Sequence, residues 1–445
     1  MSVPAEALPL IQALAPAFTR PTLQRFVLLM AAALLCTGRR TVANRLRVAA
    51  PLAAGPVTSD QRVFSSASWS AIRLACCFCR LVVLLLPPDR PIRRAGDDTV
   101  DGHPGRRVYG QARHRDPVRS SHGDTAGRYG PKGVVLAVLV RCPFATRPWA
   151  RPVLVALYRS AEDDRARRRP HCTPAQILCQ LLRVMRLWFP DRRLSVGGDA
   201  GSGTHEVARF AHRHRLGLTL VSKLHPAANL FASPPPYSGR GRPRVTGAAL
   251  PKPRPAAAET RRRRRRSVAW YGGSTRRVGL LSRTGHGYQS GAGLVPIRGV
   301  VVRDRDGTHR DEFFVSTDPA LDPVTIMEID TARWNRETPF QELRALLGLE
   351  TTRGWCRNTV RRLAPCLCGL YTAVAWLYPA LPETKRDGRV EWPGKTGVPF
   401  SDARMAVRRW LWREGVFPQA GVASVVPKLP QPVQDLLLYG LAPAA

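Results

Sequence analysis

In a chain with 69 Lys and Arg against 32 Asp and Glu, the few acidic residues at the ends of predicted core elements carry information. Three places stand out: the pair Asp97-Asp98 ahead of a β region, Asp199 behind Leu194-Ser195-Val196-Gly197-Gly198, and Glu337 on a late helical pattern. Hard oxygen ligands converging from strand ends and a helix suit a pair of Mg²⁺ or Mn²⁺ ions about 3.5 to 4 Å apart. One ion would activate an attacking water or hydroxyl and the other would stabilise the leaving oxygen. Each acid also has a plainer reading as a turn, an N-cap or a helix-surface charge, so the expectation rests on the set.

The elements that must position these acids follow from apolar periodicity. Residues 1–95 read as mainly helical through Leu8, Ile11 and Leu14 and again through Phe26, Leu29 and Ala33, with Thr41 as the cap of a helix over Val42–Val48. Arg39, Arg40, Arg45 and Arg47 near that turn suit either a DNA-facing helix or a solvated helical cap. Buried strands are predicted at Gly133–Val140 and Val153–Tyr158, then a helix over Pro174–Phe189, a strand at Leu194–Val196 ending in Asp199, a helix over Thr204–His214 and a strand at Leu216–Leu224. From about 226 to 275 Pro, Gly and Arg dominate, which marks an insertion. Strands resume at Ser267–Tyr271, Val278–Ser282, Gly299–Arg303 and Glu312–Ser316, followed by one helical pattern over Val324–Leu349 and a basic amphipathic stretch at Ala406–Trp412.

With 445 residues, 44% of them apolar, the chain is long enough for about three domains and no disordered tail, and 40 Pro and 36 Gly exclude collagen-like or mucin-like readings. A net charge of +37 points to a polyanion, nucleic acid first, because each cation paired with a phosphate releases condensed counterions. The ten cysteines cluster in apolar stretches, as in Cys76-Cys77-Phe78-Cys79 and Cys366-Leu367-Cys368, and read as reduced core thiols with no zinc-finger spacing. The apolar runs Phe26–Cys36 and Leu81–Pro87 are too short to span a bilayer. No membrane partner is expected, and the setting implied is cytoplasmic and nucleoid-associated.

Two basic segments are candidates for DNA-phosphate contact. Arg240-Gly241-Arg242-Pro243 resembles an AT-hook core, in which two Arg side chains enter a narrow minor groove, although a solvated linker has the same composition. The run from Arg261, Arg262 and Arg263 to Arg266 repels itself unless phosphates or acids compensate it. Trp270, Trp334, Trp355 and Trp410 read as core residues rather than base-stacking platforms.

Asp97-Asp98-Thr99, Gly198-Asp199 and Arg333-Trp334-Asn335-Arg336-Glu337 together resemble bacterial insertion-sequence transposases with a DDE catalytic triad. The late block is similar to that family's Tyr-x₂-Arg-x₃-Glu-x₆-Lys signature: Arg333 and Glu337 match, Arg344 stands in the Lys place and Asp330 in the Tyr place. The resemblance implies Asp98, Asp199 and Glu337 as the catalytic, metal-binding acids, with Asp98 preferred to Asp97 because it precedes a Thr, and Glu337 preferred to Glu342. It implies Arg333 and Arg344 at DNA phosphates. It also implies an α/β fold: an RNase H-like core interrupted by a β-rich insertion, with an N-terminal helical domain and a short helical C-terminal tail. The expected division is a DNA-binding domain at 1–95, the first part of the core at 96–225, the insertion at 226–310, the last part of the core at 311–380 and a basic helical tail at 381–445. Double-stranded DNA, as terminal inverted repeats and target, would be the partner of a homodimer using two Mg²⁺ (or Mn²⁺) ions. A non-catalytic DNA-binding relic is the alternative. Pro339 predicts either a kink beyond Glu337 or a helix that begins close to it.

Overall fold

The computed structural model describes residues 4–38, 41–53, 55–86, 92–97, 132–159, 161–166, 168–239, 241–259, 264–270, 274–304, 307, 309–333, 335, 337–349, 357–421 and 425–442. Five helices come first: α1 (Leu8–Leu14), α2 (Arg20–Leu35), α3 (Val42–Val48), α4 (Val57–Ser65) and α5 (Ala71–Val83). The predicted cap of α3 is present, Thr41 Oγ1 accepting from Asn44 N at 3.2 Å. Strands β1 (Ile92–Asp97), β2 (Lys132–Val140) and β3 (Trp149–Tyr158) follow, then α6 (Ala161–Ala166), α7 (Pro174–Trp188), β4 (Leu194–Gly197), α8 (His205–Arg213) and β5 (Leu218–Lys223). The predicted insertion supplies β6 (Leu230–Phe231), β7 (Ala249–Leu250), α9 (Pro253–Glu259), β8 (Arg264–Ala269), β9 (Thr275–Gln289) and β10 (Gly293–Asp304), and β11 (Glu312–Ser316) returns the chain to the core.

These strands form one mixed sheet in the order β3-β2-β1-β4-β5-β11-β10-β9-β6-β7, with β8 also paired to β9. β3, β2 and β1 are antiparallel neighbours, whereas β1, β4 and β5 run parallel and β11 is antiparallel to β5. β2 is apolar at every position from Val134 to Val140 and buried throughout, as a strand covered on both faces must be. The β9–β10 hairpin turns at Ser290–Ala292, where Gly291 (φ +73°) and Gly293 (φ +85°) take the left-handed conformation that L side chains resist.

The remaining helices are α10 (Pro323–Arg333), α11 (Glu337–Glu342), α12 (Arg357–Ala380) and α13 (Phe400–Trp410). One apolar core runs from Leu10, Phe26 and Phe78 of the N-terminal helices through Leu136 and Leu154 of the sheet to Leu367, Val374, Phe400 and Trp410. The expected boundary at 95 is therefore no gap in packing, and β1 begins three residues before it. Within the expected basic tail, α13 is buried along almost its whole length, Arg404 and Arg408 included. α12 is long and apolar enough to cross a membrane, yet 78% of that stretch is buried against β3, α4, α5 and α13. It is a core helix here.

Arginine is used inside this core as well as outside it. Arg151 donates to the Ala375 carbonyl at 3.1 Å, Arg362 reaches the carbonyls of Val63, Phe64 and Trp69, and Arg408 donates to the Leu35 carbonyl. Arg45, one of the expected DNA-facing residues of α3, is 2% exposed and donates to the Leu347 carbonyl at 3.4 Å. Part of the Arg surplus thus joins elements distant in sequence by satisfying their backbone carbonyls.

Candidate active site

Register places the strand ends together. Ala95 of β1 pairs with Gly197 of β4, and Gly197 pairs with Val221 of β5, so the C-terminal ends of three parallel strands meet at Asp97, Asp199 and Lys223. Crevices outside the carboxyl ends of parallel strands are where α/β sheets hold ligands. Asp98 follows directly on β1 but lies outside the described residues.

The loop that carries Asp199 is shaped by two glycines. Ser202 N donates to Asp199 Oδ1 at 3.0 Å, with Ser202 Oγ at 3.4 Å, and Ser222 Oγ donates to the Asp199 carbonyl. A Cβ on Gly198 would stand 2.4 Å from Ser202 Cβ, and one on Gly203 would stand 2.7 Å from Ser222 Oγ. Only glycine lets the turn close this tightly. Gly198→Ala is therefore expected to push Ser202 off Asp199 and lower metal-dependent cleavage, while the melting temperature, which depends mainly on the large core, falls only slightly. Cleavage equal to wild type would show that the turn tolerates the methyl group.

Above the sheet, α10 crosses β11, β5, β4 and β1. Its apolar residues Ile326, Met327 and Ile329 pack on Val221, Val300, Val302 and Phe314, while Ala332 reaches Ala137, Leu139 and Ala150. Asp330 is fully buried, 3.2 Å from Lys223 Nζ and 3.7 Å from Arg333 Nε. Lys223 also pairs with Glu312 and lies 4.2 Å from the centre of the Phe314 ring. Burial pushes the Asp330 carboxyl up, Lys223 and Arg333 pull it back, and Glu312 adds to the rise.

Arg333 is 4% exposed and turned toward Asp330, unlike the phosphate contact expected of it. A phosphate reaches that guanidinium only if the cluster opens. Glu337 is the first residue of α11, and its side chain lies outside the described residues. The single helix predicted over 324–349 is two, and the second starts where Pro339 is harmless: its missing N–H falls in the first turn, which has no intrahelical partner to lose. Arg344 sits half-buried on a π-helical turn over Leu343–Leu347 that ends at Gly348.

Glu342, five residues beyond Glu337 on α11, faces a cavity that Asn335, Thr338 and Pro339 also line. Tyr371 Oη donates to its Oε2 at 3.0 Å, in the wall of this 380 Å³ cavity, lined also by Arg147, Trp149 and Trp392. This cavity adjoins the β2–β3 turn, at the opposite end of the strands from Asp199. Burial pushes the Glu342 carboxyl from 4.5 up to about 7. The folded chain then holds a proton that the unfolded chain has released, so stability falls as pH rises from 4.5 to about 7 and levels off above that. Glu342→Gln is expected to flatten this dependence, gaining more in melting temperature over wild type at pH 8 than at pH 5. Parallel curves would contradict the burial argument.

Of the expected phosphate contacts, Arg242 is exposed on the surface, whereas Arg240, Arg261, Arg262 and Arg263 lie outside the described residues. Arg264, Arg265 and Arg266 are exposed on β8. Trp270 and Trp410 are buried, as core residues should be. Sequence reading missed Lys223; its only signal was a cation ending the strand parallel to the one before Asp199.

No group of three His, Cys, Asp or Glu converges as a metal site among the described residues. The donor type nevertheless fits a hard divalent cation: Ser202 takes Oδ1 of Asp199 and so leaves Oδ2 for a cation at the strand end. The profile of the DDE superfamily endonucleases matches residues 13–277, more than half of the 445 residues, and the chain belongs to that family. The match includes β1, β4 and Asp199 and stops short of Glu337. No curated protein matches the chain. A solved structure to which it is similar is the cryo-EM structure of a piggyBac transposase synaptic complex with hairpin DNA, at 11% identity and TM-score 0.39, covering 96% of this chain and 77% of that one.

Proposed function

We propose that this DDE superfamily endonuclease is a DNA transposase, which cuts DNA at the ends of its own element and joins the freed 3′-OH to target DNA. Asp199 carries the reading: an acid oriented by Ser202 at the end of β4, beside the end of β1 that leads into Asp98. The order β3-β2-β1-β4-β5, antiparallel and then parallel, supports an RNase H-like core. Asp98, Asp199 and Glu337 would hold two Mg²⁺ or Mn²⁺ ions, which when bound supply Lewis-acid activation of the attacking and leaving oxygens. Ser202 fixes the orientation of Asp199, and exposed arginines such as Arg242 neutralise phosphates. The partners are terminal inverted repeats and target DNA, held by a homodimer.

Inverted repeats flanking the reading frame, incubated with purified protein and Mn²⁺, are expected to be nicked with a 3′-OH left at the element boundary. The relic reading is favoured by one observation, the burial of Arg333 against Asp330. DNA binding without nicking in any divalent metal would establish that reading and overturn ours.

A further inference from the structure

The loop of Asp199 and the helix leading to Glu337 meet at one ionic cluster. On one side, Ser222 Oγ donates to the Asp199 carbonyl, and Lys223 is the next residue. On the other, Asp330 lies in the last turn of α10, which ends at Arg333, and Glu337 opens α11 four residues further on. Lys223 is surrounded by Glu312 of β11, Asp330 of α10 and the face of Phe314. With Asp330 fully buried, the pair is shielded from solvent screening and strongly directional.

We infer that Lys223 and Asp330 are positioning residues of the metal centre: their ion pair sets the height and rotation of α10 over β5, and hence where Glu337 stands relative to Asp199. The inference rests on the metal reading of Asp199 and Glu337. Neither residue touches the reacting atoms. Outer partners that orient metal ligands are commonly worth about 10- to 100-fold in metal affinity or activity. Apolar packing of Ile326, Met327 and Ile329 keeps α10 on the sheet when the pair is broken, so its loss shifts the helix rather than releasing it.

The test uses the full chain and Mn²⁺ alone as ligand. Mn²⁺ binding is followed by calorimetry, nicking of supercoiled plasmid is measured over the same Mn²⁺ series, and melting is recorded in parallel. Wild type is compared with Asp330→Asn, Asp330→Glu and Asp199→Ala. Asp330→Asn is expected to weaken Mn²⁺ binding, and to raise the Mn²⁺ needed for half-maximal nicking, about tenfold or more. Asp330→Glu, which restores the charge, is expected to recover most of that loss. If Asp330→Asn melts lower but titrates with Mn²⁺ as wild type does, the cluster is purely structural and the inference is overturned. If Asp199→Ala also binds Mn²⁺ and nicks as wild type does, the metal reading itself fails and takes the inference with it. Loss in Asp199→Ala without loss in Asp330→Asn removes the positioning role alone. Should Asp330→Asn not fold, Lys223→Arg, which keeps the charge but changes its reach, is expected to shift the Mn²⁺ titration in the same direction, and an unshifted titration overturns the inference.

Discussion

Asp199→Ala is expected to lose metal-dependent nicking by about a thousandfold or more, because a ligand that stabilises transition-state charge contributes several kcal/mol and each 1.4 kcal/mol is tenfold. Affinity for DNA should be unchanged or slightly higher, since the substitution removes a negative charge from a surface meant for phosphates. Melting should change little, because Asp199 is half-exposed at the end of its strand and its loop is also held by Ser222 bonding to its backbone carbonyl. Plasmid nicking, filter binding and thermal melting on one preparation separate the three effects. Equal loss of nicking and DNA binding would instead mark Asp199 as structural.

The second large effect is electrostatic. A chain of net charge +37 that grips duplex DNA displaces counterions for each phosphate it neutralises. With six to ten such contacts, affinity should fall by about 10³ to 10⁵ between roughly 50 and 200 mM salt. Arg242→Ala, at an exposed phosphate-contact candidate, should reduce the slope of log affinity against log salt by about one, uniformly across sequences. Arg408→Ala should leave that slope alone and lower stability, since Arg408 lies in the core with its guanidinium on the Leu35 carbonyl. A salt-independent affinity would sink the phosphate-binding account.

Local pattern made much of the core legible. β2 announces itself by an unbroken apolar run, α7 by helical spacing, β4 and β5 by short Leu/Val runs interrupted by Ser or Thr, and the α3 cap by Thr41. The need for glycine at Gly198 shows only in the structure, where a Cβ would meet Ser202. What local pattern lacked was partnership across long separations. Nothing near Arg45 says that it will meet the Leu347 carbonyl, nor anything near Lys223 that it will meet Asp330. The split of the 324–349 helix was half legible, since Pro339 allowed either a kink or a helix beginning near Glu337. Its apolar spacing is continuous across both halves, and the start of α11 at Glu337, with Pro339 in the first turn, selects the second of these. The stretch around Ala406–Trp412, with four arginines in and beside it, reads as an amphipathic basic helix, and its sequence gives no sign that Arg404 and Arg408 are buried in the core.

The central claim is that three particular carboxylates, one on each of three elements, cut DNA. The most direct measurement is Mn²⁺-dependent plasmid nicking by two pairs of single variants: Asp98→Asn beside Asp97→Asn, and Glu337→Gln beside Glu342→Gln. The account predicts that nicking is lost in Asp98→Asn and Glu337→Gln and kept in Asp97→Asn and Glu342→Gln. Nicking that survives in Glu337→Gln and disappears in Glu342→Gln would contradict it, moving the third acid five residues along α11 to the carboxylate that Tyr371 bonds.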